Sequence, residues 1–210
     1  MCGIVGILGN HEASPILLDA LKRLEYRGYD SSGIATINDG VLERRREIGK
    51  LVNLADKLVH KPLKGKIGIG HTRWATHGSP TVANAHPQKT GKVAVVHNGI
   101  IENFKKLRDE LISGGAVFQS ETDTETVAQL CMSFINNGDN PDIAAKKTLD
   151  RLEGAYALCF LFHDIHKLTQ EKTDFLIYTS VWYIHIVRRE TQPVQFLVGF
   201  LLVLFIFFLL

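Results

Sequence analysis

A cysteine directly follows the initiator methionine, and that position gives its thiol a chemistry no internal cysteine has. Methionine is readily clipped ahead of a small side chain, which would leave Cys2 carrying a thiol and an α-amine on one Cα. A thiol with pKa near ~8.5 beside an amine near ~7.7–8.0 has its own base at neutral pH. That is the self-contained arrangement of N-terminal nucleophiles. The run Ile4-Val5-Gly6-Ile7-Leu8 is predicted as a buried strand that would pin this terminus in the core. On position alone, Cys2 is equally well explained as a small apolar residue opening that strand, so the rest of the chain has to decide.

Polar clusters recur at expected strand ends and in one long loop: Arg73-Trp74-Ala75-Thr76-His77-Gly78, His97-Asn98-Gly99 and Glu121-Thr122-Asp123. An amide-hydrolysing site around Cys2 needs donors aimed at a developing oxyanion, which the Asn98 side chain and a Gly99 N–H can supply. Recognition of an α-amino acid needs a guanidinium for its carboxylate, such as Arg73, and a carboxylate such as Asp123 for its ammonium. Singly these are weak signals, because most Arg and Asp side chains are solvated surface. The histidines His71, His77, His86 and His97 have no metal-ligand spacing and no accompanying cysteine pair, so no metal is expected. Gly3, Gly6 and Gly9 do not match the dinucleotide fingerprint and no GxxxxGK[ST] segment exists, so no nucleotide or other cofactor is expected.

The elements that must hold these residues follow from the pattern. With 210 residues, 45% of them hydrophobic, the chain can build one domain-sized core. A net charge of +2 gives no support for nucleic-acid binding, and Arg44-Arg45-Arg46 is too short a run to change that. Cys131 and Cys159 are expected as core thiols in a reducing compartment; no secretory signal is visible and a cytoplasmic location is expected. Ser14-Pro15 is predicted to open a helix that Gly28 stops, Asn38-Asp39-Gly40 to turn a hairpin, and Lys50 to Val59 to form a short helix. A strand from Ile67 leads into an irregular loop from Thr72 to Gly91, of a length usually reserved for lids and binding loops. Val93 to His97 is a strand ending at Asn98-Gly99, and Glu102 to Ser113 a helix. Ser120 to Asp123 has the form of a capping box before another helix. Pro141 to Leu152 is helical and Gly154 to Phe162 a buried strand. Hairpins mixed with helices, without βαβ alternation, give an α+β class.

Together the motifs are recognisable: Cys2-Gly3-Ile4-Val5-Gly6, Tyr26-Arg27-Gly28-Tyr29-Asp30-Ser31, His71 to Gly78, Asn84-Ala85-His86-Pro87, His97-Asn98-Gly99-Ile100-Ile101-Glu102-Asn103 and Ser120 to Glu125. Over residues 2–162 the chain resembles the class II, N-terminal-nucleophile glutamine amidotransferases, in the forms used by the glutaminase domain of glutamine–fructose-6-phosphate aminotransferases. The resemblance implies a four-layer αββα sandwich, C-terminally incomplete here, and L-glutamine as substrate. It implies Cys2 as nucleophile with its α-amine as base, and Asn98 and Gly99 as the oxyanion hole. Arg73, helped by Thr76 and His77, would hold the glutamine carboxylate and Asp123 its ammonium. Trp74 would belong to the closing loop, and Arg27 and Tyr29 to a loop supporting the nucleophile. Ammonia would leave a γ-glutamyl thioester and pass to fructose 6-phosphate in sugar-phosphate isomerase domains that this chain lacks.

The likeness stops after Phe162. Residues 163–210 end in Phe196 to Leu210, all Phe, Leu, Val or Ile apart from Gly199. That run is shorter than the ~20 residues of a spanning helix, so a membrane partner is not expected and a frameshift or truncated gene model is. Missing strands would leave sheet edges open and the chain prone to aggregate. Two readings of different class follow: a glutaminase half-site, or a non-catalytic fragment, membrane-tethered or misfolded. The oligomeric state is left open.

Overall fold

The computed structural model describes residues 2–25, 29–74 and 78–163, together with the backbone of two later strands. In chain order the elements are β1 (Gly3–Leu8), α1 (Ala13–Leu24), β2 (Ser31–Asn38), β3 (Val41–Ile48), α2 (Leu51–His60), β4 (Ile67–Arg73), β5 (Gln88–Thr90) and β6 (Val93–Ile101). There follow α3 (Phe104–Ser113), α4 (Asp123–Asn136), α5 (Pro141–Leu149), β7 (Gly154–Phe162), β8 (Phe175–Thr179) and β9 (Val203–Phe205).

The strands make two sheets, ordered β3-β2-β4-β1-β9 and β5-β6-β7-β8. Every pairing is antiparallel except β1 with β9. Alternation along each strand sorts the side chains into layers. Ile4, Ala35 and Ile69 of the first sheet meet Ala94, Val96, Cys159 and Leu161 of the second in a core between the sheets. Their sequence neighbours face outward. Val5, Ile7 and Ile34 pack with Leu17, Leu21, Leu51 and Leu54 under α1 and α2. Val93, Val95, Leu158, Phe160 and Phe162 pack with Leu107, Val127, Leu130 and Ala144 under α3, α4 and α5. Three apolar layers between four layers of elements make an αββα sandwich, the expected fold.

The same parity decides what reaches the site. Cys2 precedes β1 in phase with Ile4, His71 and Arg73 continue the phase of Ile69, and Asn98 continues that of Val96. All four therefore belong to the space between the sheets, at one end of it. His97 is out of phase and turns towards α4.

Several boundaries differ from those read in the sequence, each for a local reason. Helix α1 starts at Ala13 rather than after Ser14, and no side chain caps it: the Glu12 carboxylate accepts instead from the Gly65 N–H at 2.8 Å. It ends at Leu24, where the Tyr29 hydroxyl donates to the Leu24 carbonyl at 2.8 Å, short of the expected stop at Gly28. Strand β6 runs through Asn98-Gly99 to Ile101, because β7 pairs with it residue by residue to Gly154. The long loop is shortened at both ends, by β4 and by β5. The cap of α4 is Thr122, not Ser120: Thr122 Oγ1 accepts from the Glu125 N–H at 3.2 Å, and the Glu125 carboxylate accepts from Gln119 and Ser120 N–H. Helix α5 stops at Leu149 rather than Leu152. Among the described residues no helix is long and apolar enough to cross a membrane. Beyond His163 and the strands β8 and β9, the expectations for the tail lie outside the described residues.

Candidate active site

Cys2 sits where β1 enters the first sheet, and β4 runs beside it. The Gly3 N–H donates to Thr72 Oγ1 at 3.1 Å, fixing the start of the strand. The Trp74 N–H donates to Cys2 Sγ at 3.1 Å, and Sγ lies 3.6 Å from the Trp74 carbonyl. Burial pushes the Cys2 thiol above its ordinary pKa. The Trp74 N–H, the chain's N-terminal positive charge and Arg73 oppose that rise, while the Asp30 charge adds to it. The group is thus a thiol at rest, and ionising it takes a base.

The second sheet brings Asn98 against the same cysteine. Asn98 Nδ2 donates to the Cys2 carbonyl at 2.9 Å, spanning 96 positions of sequence. Asn98 Oδ1 is held by His71 Nε2 at 2.9 Å, and the same nitrogen lies 3.1 Å from the His97 carbonyl. Gly99 follows with φ of +118°; a Cβ there would come within 2.2 Å of the Ala155 carbonyl oxygen, so only glycine fits.

Arg73 is buried at the end of β4. Its Nη2 donates to the Gly78 carbonyl at 3.1 Å, and Nη1 lies 3.5 Å from Asp30 Oδ1. Trp74, next in sequence, is about half exposed. Asp123 opens α4 and is buried; Oδ1 accepts from the Thr124 N–H at 2.9 Å and Oδ2 from the Ile101 N–H at 3.2 Å. Those bonds, and the positive end of α4, hold it ready to face a cation. Thr124 Oγ1 lies 2.6 Å from His86 Nε2, 3.1 Å from His97 Nδ1 and 3.4 Å from Asp123 Oδ1. The His71 and His86 rings stack at 4.6 Å. Burial drives the pKa of His71 down to about 4 and that of His86 well below its ordinary value, so both rings are neutral. Among the described residues no group of three or more His, Cys, Asp or Glu is placed to hold a metal ion.

A family model described as the glutamine amidotransferase domain matches residues 1–171. The chain belongs to this family. Among curated relatives, glutamine–fructose-6-phosphate aminotransferase [isomerizing] of Rhizobium meliloti (strain 1021) is 62% identical over 164 residues, which is 78% of this chain and 27% of the relative. The protein of the same name from Zymomonas mobilis subsp. mobilis is 61% identical over 162 residues, 77% of this chain and 27% of the relative. The chain thus spans about a quarter of the length of these relatives, at the part homologous to their glutaminase end. Of solved structures, glutamine phosphoribosylpyrophosphate amidotransferase from B. subtilis, complexed with ADP and GMP, aligns with a TM-score of 0.67 and 29% identity. That alignment covers 77% of this chain and 35% of the other. A second structure, that of the allosteric regulatory enzyme of purine biosynthesis, aligns with a TM-score of 0.67 and 30% identity, with the same coverage.

Of the residues singled out in the sequence of this amidotransferase domain, Cys2, Arg73, Trp74 and Asn98 meet at one end of the sandwich, with Gly99 beside them. Asp123 joins through Ile101 and through Thr124, which touches His97. Tyr29 stands a step away, tying its loop to the end of α1. Arg27, Thr76 and His77 lie outside the described residues. The sequence reading missed Asp30 as an ion partner of Arg73, although the Tyr-Arg-Gly-Tyr-Asp-Ser motif contains it. It also missed the Asn84–Glu121 clamp, in which Asn84 Nδ2 donates to Glu121 Oε2 at 3.0 Å and the Glu121 N–H donates to Asn84 Oδ1 at 2.9 Å. That clamp ties the loop after Gly78 to the turn before Asp123. Both partners lie within quoted motifs, but 37 positions apart, and nothing in a single sequence pairs them.

Proposed function

We propose that this domain hydrolyses L-glutamine through Cys2. Removal of Met1 exposes the Cys2 α-amine, which takes the thiol proton. The sulfur attacks the side-chain carbonyl carbon of glutamine, and the π electrons move onto its oxygen. Asn98 Nδ2–H and the Gly99 N–H hold that oxyanion. The α-ammonium returns its proton to the amide nitrogen, the C–N bond breaks, and ammonia leaves a γ-glutamyl thioester. Water, deprotonated by the same amine, attacks the thioester, and glutamate departs with the thiol restored. Arg73, with Thr76 and His77, binds the substrate α-carboxylate and Asp123 its α-ammonium. Trp74 is part of the cover that keeps water out and ammonia in. Arg27 and Tyr29 brace the nucleophile's loop.

The observation that carries this reading is the bond from Asn98 Nδ2 to the Cys2 carbonyl, which sets the donor of one sheet against the nucleophile of the other. The raised thiol pKa fits a nucleophile that relies on its own amine. The relatives' name suggests that the ammonia goes on to fructose 6-phosphate, held by a further domain or a separate chain. A cytoplasmic setting suits a reactive thiol and two buried ones, which stay reduced there.

The test is glutamate release by the purified chain, with intact mass reporting whether Met1 has gone. Turnover should be lost in Cys2→Ala and in protein that retains Met1, since an amide nitrogen cannot serve as the base. Equal, near-zero release by folded wild type and Cys2→Ala would overturn the assignment in favour of a non-catalytic fragment.

A further inference from the structure

We propose that His71 is the positioning residue of the oxyanion hole: it fixes which way round the Asn98 side-chain amide faces Cys2. The proposal rests on the reading of Asn98 as oxyanion donor.

The orientation of that amide follows from chemistry alone. The Cys2 carbonyl can only accept, so the Asn98 atom 2.9 Å from it is the nitrogen, and the oxygen is on the other side. Facing the oxygen, 2.9 Å away, is His71 Nε2, whose other neighbour at 3.1 Å is the His97 carbonyl. Both neighbours are acceptors, so Nε2 carries the hydrogen and donates to both. Burial keeps the ring neutral, with one N–H to give, and both partners require it at Nε2. The opposite nitrogen, Nδ1, has no partner among the described residues, while the ring is fully buried and stacks on His86. A buried nitrogen without a partner costs stability; an apolar ring would fill this space without that cost. What the imidazole supplies instead is the N–H to Asn98.

The consequence is catalytic. An Asn amide rotates about its last torsion between two nearly isosteric states. In one it presents N–H to the reacting carbonyl; in the other it presents an oxygen that repels the developing negative charge. The Cys2 carbonyl on one side and the His71 donor on the other both disfavour the second state. Without the His71 N–H, only that carbonyl would hold the amide in place before substrate arrives. Orientation settled in advance is what makes an oxyanion donor effective, since nothing need reorganise at the transition state.

The experiment uses the full chain and measures kcat and KM for glutamine in Asn98→Ala, His71→Gln, His71→Asn and the double variant His71→Asn with Asn98→Ala. Circular dichroism melts check the fold of each, and the rate of Cys2 alkylation by iodoacetamide checks the nucleophile. Asn98→Ala is expected to lose about 10²–10³-fold in kcat. His71→Asn, whose amide is one methylene too short to reach, is expected to lose about tenfold or more in kcat with KM little changed, because only the transition state is affected. His71→Gln places an amide nitrogen at about the reach of Nε2 and should recover most of that loss. The double variant should be no slower than Asn98→Ala, since nothing remains to be positioned. Alkylation, which develops no oxyanion, should proceed at the wild-type rate in the two single His71 variants.

Losses that multiply in the double variant, a folded His71→Gln as slow as His71→Asn, or alkylation slowed in step with kcat would each overturn the proposal. Full activity in Asn98→Ala would instead remove the oxyanion reading on which it rests, a separate and recognisable failure.

Discussion

At the scale of single residues, the candidate site was legible where chemistry demands a rare type in a rare place. A cysteine at position 2, a guanidinium and a carboxylate for an amino acid's two charges, and an Asn-Gly pair are such demands. The histidines carried no comparable signal. Their spacing gave no sign of a metal set, and their role depends on which acceptors surround each ring nitrogen, which only the fold supplies. The buried rings make a testable demand on pH. An unfolded histidine titrates near ~6.5, whereas burial lowers folded His71 to about 4 and also lowers His86. Between those values the unfolded chain binds protons that the folded chain refuses. Stability is therefore fully present above ~6.5 and is lost as pH falls from there towards 4. For His71 alone the loss is on the order of 3 kcal/mol, at ~1.36 kcal/mol per pKa unit. Urea midpoints at pH 7.5, 6.5 and 5.5 check it; a midpoint that holds steady, or rises on acidification, contradicts the burial of neutral rings.

Among the elements, the interiors of strands and helices were readable and their ends were not. Apolar alternation marks a strand, yet whether β6 stops at His97 or carries Asn98-Gly99 into the sheet depends on β7 alongside it. Likewise Ser120-Glu121-Thr122-Asp123 announces a helix start, but the choice of Thr122 over Ser120 turns on Glu125 reaching back to two amides. The long loop between β4 and β6 gave least away, because its anchors are remote in sequence. One of them is Gly33 in β2, where a Cβ would meet the His86 carbonyl oxygen at 2.2 Å. That oxygen is backbone and cannot swing aside, so Gly33→Ala should displace the segment bearing His86, and with it the ring stacked on His71. The expected cost is about 1–3 kcal/mol, as for other overpacked interiors, with a fall in kcat beyond what the same destabilisation causes elsewhere. Melting temperature and kcat measured together check this; an active variant of unchanged Tm would mean that the loop has room.

For the whole molecule, Cys2 and Asn98, the proposed nucleophile and oxyanion donor, belong to different sheets, and the layer between the sheets sets their separation. The α+β class and the helix-covered sheets could be read from pattern, but which sheet each strand joins could not, because pairing is non-local. The division into layers predicts that equal losses of packing have unequal effects on function. Leu161 lies fully buried between the sheets, whereas Leu54 lies fully buried under α2, on the far side of the first sheet. Either leucine cut to alanine should destabilise the fold by about 2–5 kcal/mol. In Leu161→Ala the cavity opens between the sheets, whose partial collapse changes how β6 meets β1 and so the reach of Asn98 to Cys2. In Leu54→Ala the collapse draws α2 onto its own sheet and leaves that spacing alone. At a temperature where both variants are folded, Leu161→Ala should therefore lose kcat for glutamine hydrolysis while Leu54→Ala keeps it. Equal kcat at matched stability would show that the site is held by its hydrogen bonds alone, whatever the packing beneath it.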